Sequence, residues 1–360
     1  MRPWSVAALL LGVVLAGCIG AQALADQDMR ISGPYVHENI AIYLAHGPST
    51  QGPVPFTLQE ALAKGTVRVA ETGQVNELNI ENTGSEEIFI QAGDIVKGGR
   101  QDRVLTVSFL LPAKSGLIPI SAFCVERGRW SARGVEDQVN FSRADEAMPS
   151  RSALLAITAP QPVPQAGSTP SGQPPLPALA ARDYGEVARR QKEVWDSVAK
   201  TQNDLSHGLR APVASPQSAT SLQLSLENEK LKEARATYIK ALEKQGLADS
   251  DVVGYVVAIN GKLVSANVYP SNGLFRKVWP KQLAATVTEA IGERSQTEAG
   301  TPPPAAAAAT EFMAEARRAK PQERSIAAGA RLETRDGAKL LYNESRSADG
   351  TWVHRSYLAK

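Results

Sequence analysis

The 360-residue chain reads as an α+β protein. The expected form is a strand-rich antiparallel N-terminal half with packed helices and a C-terminal hairpin region, in one continuous domain (30–360) with long proline-rich loops. Three observations predict it. Between residues 30 and 157, short runs rich in Val and Ile alternate with turn residues, the pattern of half-buried strands. Over 183–205, Tyr184, Val187, Gln191, Val194, Trp195, Val198, Gln202 and Leu205 recur at the helical period. The stretch "YVVAINGKLVSANVYP" sets Asn260-Gly261 between two apolar runs, the strongest short-range hairpin signal.

The elements follow in order. Residues 53–64 hold a short helix with Thr57 as N-cap and Glu60 at its third position, a capping box. Strands are expected at 67–70, 77–80 and 87–91, with "ENTGSEE" as a turn between two of them. Residues 104–111 read as one strand, with Leu105, Val107, Phe109 and Leu111 on one face and Thr106 and Ser108 on the other. In the next strand Ile118, Ile120, Ala122, Cys124 and Glu126 share a face. Residues 158–180 are proline-rich and uncharged, hence an extended or disordered loop. A second helix is expected over 227–245 with Gly246 as its stop, and a third over 283–291. In the Pro/Ala-rich linker 297–309, prolines lead into an alanine-rich helix. Closing strands turn at Asp336-Gly337 and Asp349-Gly350.

The N-terminus has the composition of a targeting segment: Arg2, then an apolar run over 6–16 too short to span a bilayer. Two cleavage sites compete. Leu15-Ala16-Gly17-Cys18 resembles a lipobox, which would remove residues 1–17 and lipidate Cys18. Ala23-Leu24-Ala25 would end a signal peptide at 1–25. Either predicts an extracytoplasmic, periplasmic protein, soluble or lipid-anchored, that meets a membrane only through the anchor. Of the two cysteines, Cys18 and Cys124, one lies in this segment, so no internal disulfide is expected. Hydrophobic residues at 43% and charged residues at 21% fit a soluble globular chain. A net charge of +2 argues against nucleic acid as a partner. Nothing in the sequence fixes the oligomeric state.

The chemistry-bearing stretch is "FIQAGDIVKGGRQDRVL", residues 89–105. It is neither a P-loop nor a dinucleotide fingerprint, since a strand and not a helix follows the glycines. Gly98 and Gly99 suit a hairpin or bulge. Strand parity turns Gln101 and Arg103 toward the core, where Arg103 needs a counter-charge; Asp94 and Glu126 are the candidates. The functional alternative is an anion site built from Lys97, Arg100, Gln101 and Arg103, with Arg129 and Trp130 of "ERGRW". Lys97 and Arg100 are expected to be exposed. Trp130 reads first as a lid over core. Cys124 reads as a buried core thiol; as a nucleophile it would need a cation or His354 as base. His354 reads as a structural histidine. No His or Cys spacing predicts a metal site, and no cofactor is implied.

"VNELNIEN", "GDIVKGGRQDRVL", "IPISAFCVERGRW", "QKEVWDSVAKTQ", "GYVVAINGKLV" and "TWVHRSYL" together resemble the ARG and Rhodanese-Phosphatase-superfamily-associated domain family, ARG denoting ADP-ribosylglycohydrolase. The resemblance covers roughly residues 33–360. It implies one continuous α+β domain and no assigned catalytic residue. The leading expectation is a non-catalytic binding or interaction module for a small anionic ligand. The alternative is a hydrolase of a phosphate-containing or ADP-ribose-like metabolite, with Asp94 or Glu126 as acid or base. A structural envelope protein is the third.

Overall fold

The computed structural model describes residues 29–160, 184–294 and 301–360. The targeting segment, nearly all of the proline-rich loop and the start of the Pro/Ala-rich linker lie outside them. In chain order the strands are β1 (Arg30–His37), β2 (Ile40–His46), β3 (Phe56–Thr57), β4 (Val67–Glu71), β5 (Glu77–Asn82), β6 (Ile88–Ile90), β7 (Asp94–Gly98), β8 (Arg103–Leu105), β9 (Phe109–Leu111), β10 (Gly116–Cys124), β11 (Phe141–Ala147), β12 (Val252–Ile259), β13 (Lys262–Val268), β14 (Pro321–Ser325), β15 (Arg331–Asp336), β16 (Leu340–Arg346) and β17 (Trp352–Ala359). The helices are α1 (Leu58–Lys64), α2 (Arg151–Thr158), α3 (Tyr184–Leu209), α4 (Leu222–Leu226), α5 (Glu229–Ala248), α6 (Asn272–Glu293) and α7 (Ala306–Ala314). The expected α+β class holds. Among the described residues no helix is long and apolar enough to cross a membrane.

Eight strands form the largest sheet, in the order β1-β2-β12-β13-β17-β16-β15-β14, antiparallel throughout. Its interior strands β2 and β12 are buried at every position, which requires cover on both faces. Ile40, Ile42, Leu44, Tyr255 and Val257 point into a core shared with α3, α5 and α6. Ala41, Tyr43, Val256 and Ala258 face the other way, against Ala309 and Met313 of α7. The β12–β13 hairpin turns at Asn260-Gly261, both with positive φ, as the pair predicts.

A six-stranded sheet, β11-β7-β8-β10-β5-β4, and a three-stranded one, β3-β6-β9, enclose a second core with α1. Val69, Leu78, Ile80, Val96, Leu105 and Ile120 line it. The reverse side of the six-stranded sheet (Ile95, Val104, Phe123) joins the helical core. Thr57 and Glu60 form the expected capping box on α1.

Three local expectations need correction. Residues 104–111 are not one strand. The chain leaves β8 of one sheet and enters β9 of another, and Ser108 Oγ at the corner accepts from Ala92 N–H. The parity survives the corner, since Leu105, Val107, Phe109 and Leu111 all reach the second core. The helix over 283–291 is the second half of α6. Ser271 caps its start, and burial of Leu274, Phe275, Val278 and Trp279 carries it through Pro280 despite the lost backbone bond. Gly246 is not a helix stop; it lies inside α5, where a Cβ would stand 2.5 Å from the Trp279 ring.

Candidate functional site

The two strands β7 and β8 pair antiparallel and hold the 98–103 loop at one end of the six-stranded sheet. Gly98 and Gly99 have φ of 112° and 56°. A Cβ on Gly99 would lie 2.5 Å from the Phe141 ring and 2.7 Å from Glu71 Oε1, so the position admits only glycine. Gly98 N–H donates to Asp102 Oδ1 at 2.9 Å, and Arg100 N–H donates to Glu71 Oε1 at 2.9 Å. Arg103 is wholly buried, as parity predicts. Its counter-charge is Glu71 at 3.4 Å, and neither Asp94 nor Glu126. Register explains the rest of its contacts: Arg103 sits opposite Cys124 on β10, and its guanidinium donates to Cys124 Sγ at 2.9 Å and to Gln101 O at 3.2 Å.

Asp102 and Glu126 are equally enclosed. Asp102 accepts from Arg133 at 3.0 Å and from Ser221 at 3.0 Å. Glu126 accepts from Arg129 at 2.8 Å and from Ser218 at 2.5 Å. Burial alone would raise the Glu126 carboxyl. The hydrogen bonds from Arg129 and Ser218 and the charges of Arg129 and Arg133 outweigh it, and the group is held below its ordinary value. Arg133 also grips Glu136 at 2.8 Å. Three guanidiniums (Arg103, Arg129, Arg133) thus share a shell with four carboxylates (Glu71, Asp102, Glu126, Glu136), and Arg100 joins it through its backbone N–H. Lys97, expected to be exposed, is 23% exposed and bound to Glu227 at 2.6 Å. Arg100, also expected outside, is half-buried. Trp130 is 43% exposed and lies 5.5 Å from the guanidinium of Arg100 and 5.6 Å from that of Arg103. It therefore roofs the ion cluster and not the apolar core.

The four weaker catalytic candidates do not converge. Cys124 is buried, and its backbone N–H and C=O are both held by the Gln191 side chain at 2.9 Å. Burial pushes the thiol up to about 11, with Arg103 only partly offsetting it. His354 belongs to the large sheet, with Ser108 at 3.0 Å and Asn267 at 3.1 Å; burial drives it down to about 3. It shares no bonding partner with Cys124. Asp94 accepts from Gln91 N–H at 3.0 Å and meets Lys281 of α6. Asp94 and Glu126 therefore sit in separate networks.

A different feature opens beside Asp94. Gln59 of α1, Asp145 and Glu146 of β11, and one face each of α5 and α6 line a groove of about 650 Å³. Five basic side chains border it, Lys232, Arg235, Lys240, Lys277 and Lys281, against Asp145 and Glu146. Arg235 is clamped by Glu146 at 2.6 and 2.9 Å. Lys281 donates to Gln59 at 2.7 Å as well as to Asp94. Lys277 reaches Glu60 at 3.2 Å. Among the described residues Lys240 has no carboxylate partner. Sequence reasoning missed this site. Its local signals are Lys232 and Arg235 at i, i+3 and Lys277 and Lys281 at i, i+4, indistinguishable from solvated helix faces.

A family model described as "ARG and Rhodanese-Phosphatase-superfamily-associated Protein domain" matches residues 28–358. No curated protein and no solved structure matches the chain.

Proposed function

The chain belongs to the ARG and Rhodanese-Phosphatase-superfamily-associated Protein domain family, and we propose that it is an exported binding module whose α5–α6 groove takes a small anionic ligand. The observation that carries this is a concave surface of ligand size lined by five cations, of which Lys240 has no carboxylate partner among the described residues. The 97–103 loop has Lys97, Asp102 and Arg103 each ion-paired within the fold and serves as a brace beneath Trp130. Export rests on Arg2 and the apolar run at 6–16. The groove suits binding more than turnover: Asp94, its nearest buried carboxylate, is engaged by Lys281 and the Gln91 amide. A thermal-shift series with inorganic phosphate, sugar phosphates and nucleotides tests the reading. A ligand that stabilises the parent should lose its effect in Lys240→Glu/Lys277→Glu and with added salt. It should keep its effect in Lys97→Ala. Loss in Lys97→Ala alone would return the site to the loop. Intact mass after secretion tests export, with Asp26 or lipidated Cys18 as the first residue.

A further inference from the structure

Away from the ion cluster and the groove, three side chains distant in sequence meet at one end of the large sheet. His46 closes β2 and is buried. Its Nε2 lies 2.8 Å from Ser32 Oγ on β1, and its Nδ1 lies 2.7 Å from Asp251 Oδ1, just before β12. The register makes this meeting. Arg30 pairs with His46 and Ser32 with Leu44, so Ser32 and His46 are diagonal neighbours on one face. Gly47 N–H donates to Asp251 O at 2.9 Å and ties the end of β2 to the loop carrying the carboxylate. Arg30 approaches the second oxygen, Oδ2, at 3.6 Å, leaving Oδ1 to the imidazole. An ionised carboxylate can only accept, so Nδ1 carries the proton. Nε2 then offers its lone pair to the Ser32 hydroxyl, the tautomer a general base requires. Asp251 is held below its ordinary value, first by the hydrogen bond from His46. Ser32 is only half-buried and lies on the edge strand of the sheet.

We propose that Ser32, His46 and Asp251 form an acyl-transfer triad acting on a carboxylic ester. Such triads are recognised by geometry and roles and not by motif or chain order, and the order here is Ser, His, Asp. Ser32 Oγ forms a bond to the ester carbonyl carbon while its proton passes to His46 Nε2. Collapse of the tetrahedral adduct breaks the C–O bond, and the alcohol leaves with that proton. Water then adds to the acyl-serine, giving its proton to Nε2, and the carboxylic acid departs as Ser32 Oγ takes the proton back. Asp251 orients the ring and faces the transient imidazolium. The site shares no residue with the groove.

The same His46 stands with Asp249 and Asp251 in a set of three donor atoms within 4.8 Å that could hold a metal ion. A cation there would need the Nδ1 lone pair, the opposite tautomer, so one experiment separates the two. The full chain is treated with a fluorophosphonate probe and the adduct is located by peptide mass. The triad predicts an adduct on Ser32, absent in a Ser32→Ala variant that still melts cooperatively. It also predicts labelling slowed about a hundredfold or more in Asp251→Asn, a near-isosteric substitution at a half-exposed side chain whose folding a thermal melt checks. No adduct on Ser32 in natively melting protein overturns the proposal. So does labelling indifferent to Asp251→Asn. A melting temperature raised by Mn²⁺ or Zn²⁺ in the parent but not in Asp251→Asn, without Ser32 labelling, overturns it in favour of a cation site.

Discussion

Arg103 and Glu71 face each other at 3.4 Å with side chains 0% and 6% exposed, although 32 residues separate them in sequence. Each would be an isolated buried charge without the other. Arg103→Ala is expected to lower stability by about 3–5 kcal/mol, since Glu71 is left unpaired. The double substitution Arg103→Met/Glu71→Gln should recover most of that loss. Guanidinium denaturation at constant m-value measures both.

Cys124 is expected to resist alkylation. With its thiol pushed up to about 11 and buried, native protein should take up negligible iodoacetamide at neutral pH, while unfolded protein reacts fully. The raised value also sets a pH window. A thiol that is harder to ionise when folded favours the fold fully below its ordinary value near 9, and that contribution is lost as pH rises through about 11. Cys124→Ala should flatten this alkaline decline in a melting series.

At Gly246, alanine would normally strengthen a helix by about 0.5–1 kcal/mol. Here the added methyl meets Trp279 at 2.5 Å, so Gly246→Ala is expected to destabilise by about 1–3 kcal/mol. Gly246→Ala combined with Trp279→Phe should recover part of the loss, as read from thermal melts.

His354 contributes to the acid limit. Its imidazole is held neutral by burial, down to about 3. A group with a lowered folded value contributes fully above its ordinary value near 6.5, and the contribution falls as pH drops toward 3. The slope is about 1.4 kcal/mol per pH unit. His354→Asn should remove this slope between pH 6.5 and 3 in urea melts, whatever it costs at neutral pH.

What could be read in the sequence was local. Thr57 with Glu60 and Asn260 with Gly261 announce a helix start and a hairpin because their chemistry is satisfied within a few residues. The burial of Arg103 was legible from parity, but its partner was not, because Glu71 arrives where β4 meets the start of β11, with Ala70 bridged to Asn140 and Glu71 N–H donating to Val139 O. Gly246 resembled a stop because nothing near it in sequence shows that Trp279 packs there. The groove escaped notice because its cations are divided between α5 and α6, each an ordinary polar face when read alone. Ser32, His46 and Asp251 carry no motif; only the pairing of β1, β2 and β12 assembles them.

β17 lies between β13 and β16, which ties the eight-stranded sheet to the order of synthesis. Until the ribosome has passed residues 352–359, β1-β2-β12-β13 and β16-β15-β14 are separate half-sheets, each with a raw edge. Raw edges recruit strands from other molecules. A stop codon shortly before Trp352 would therefore yield aggregated or degraded polypeptide, and not a slightly shortened protein.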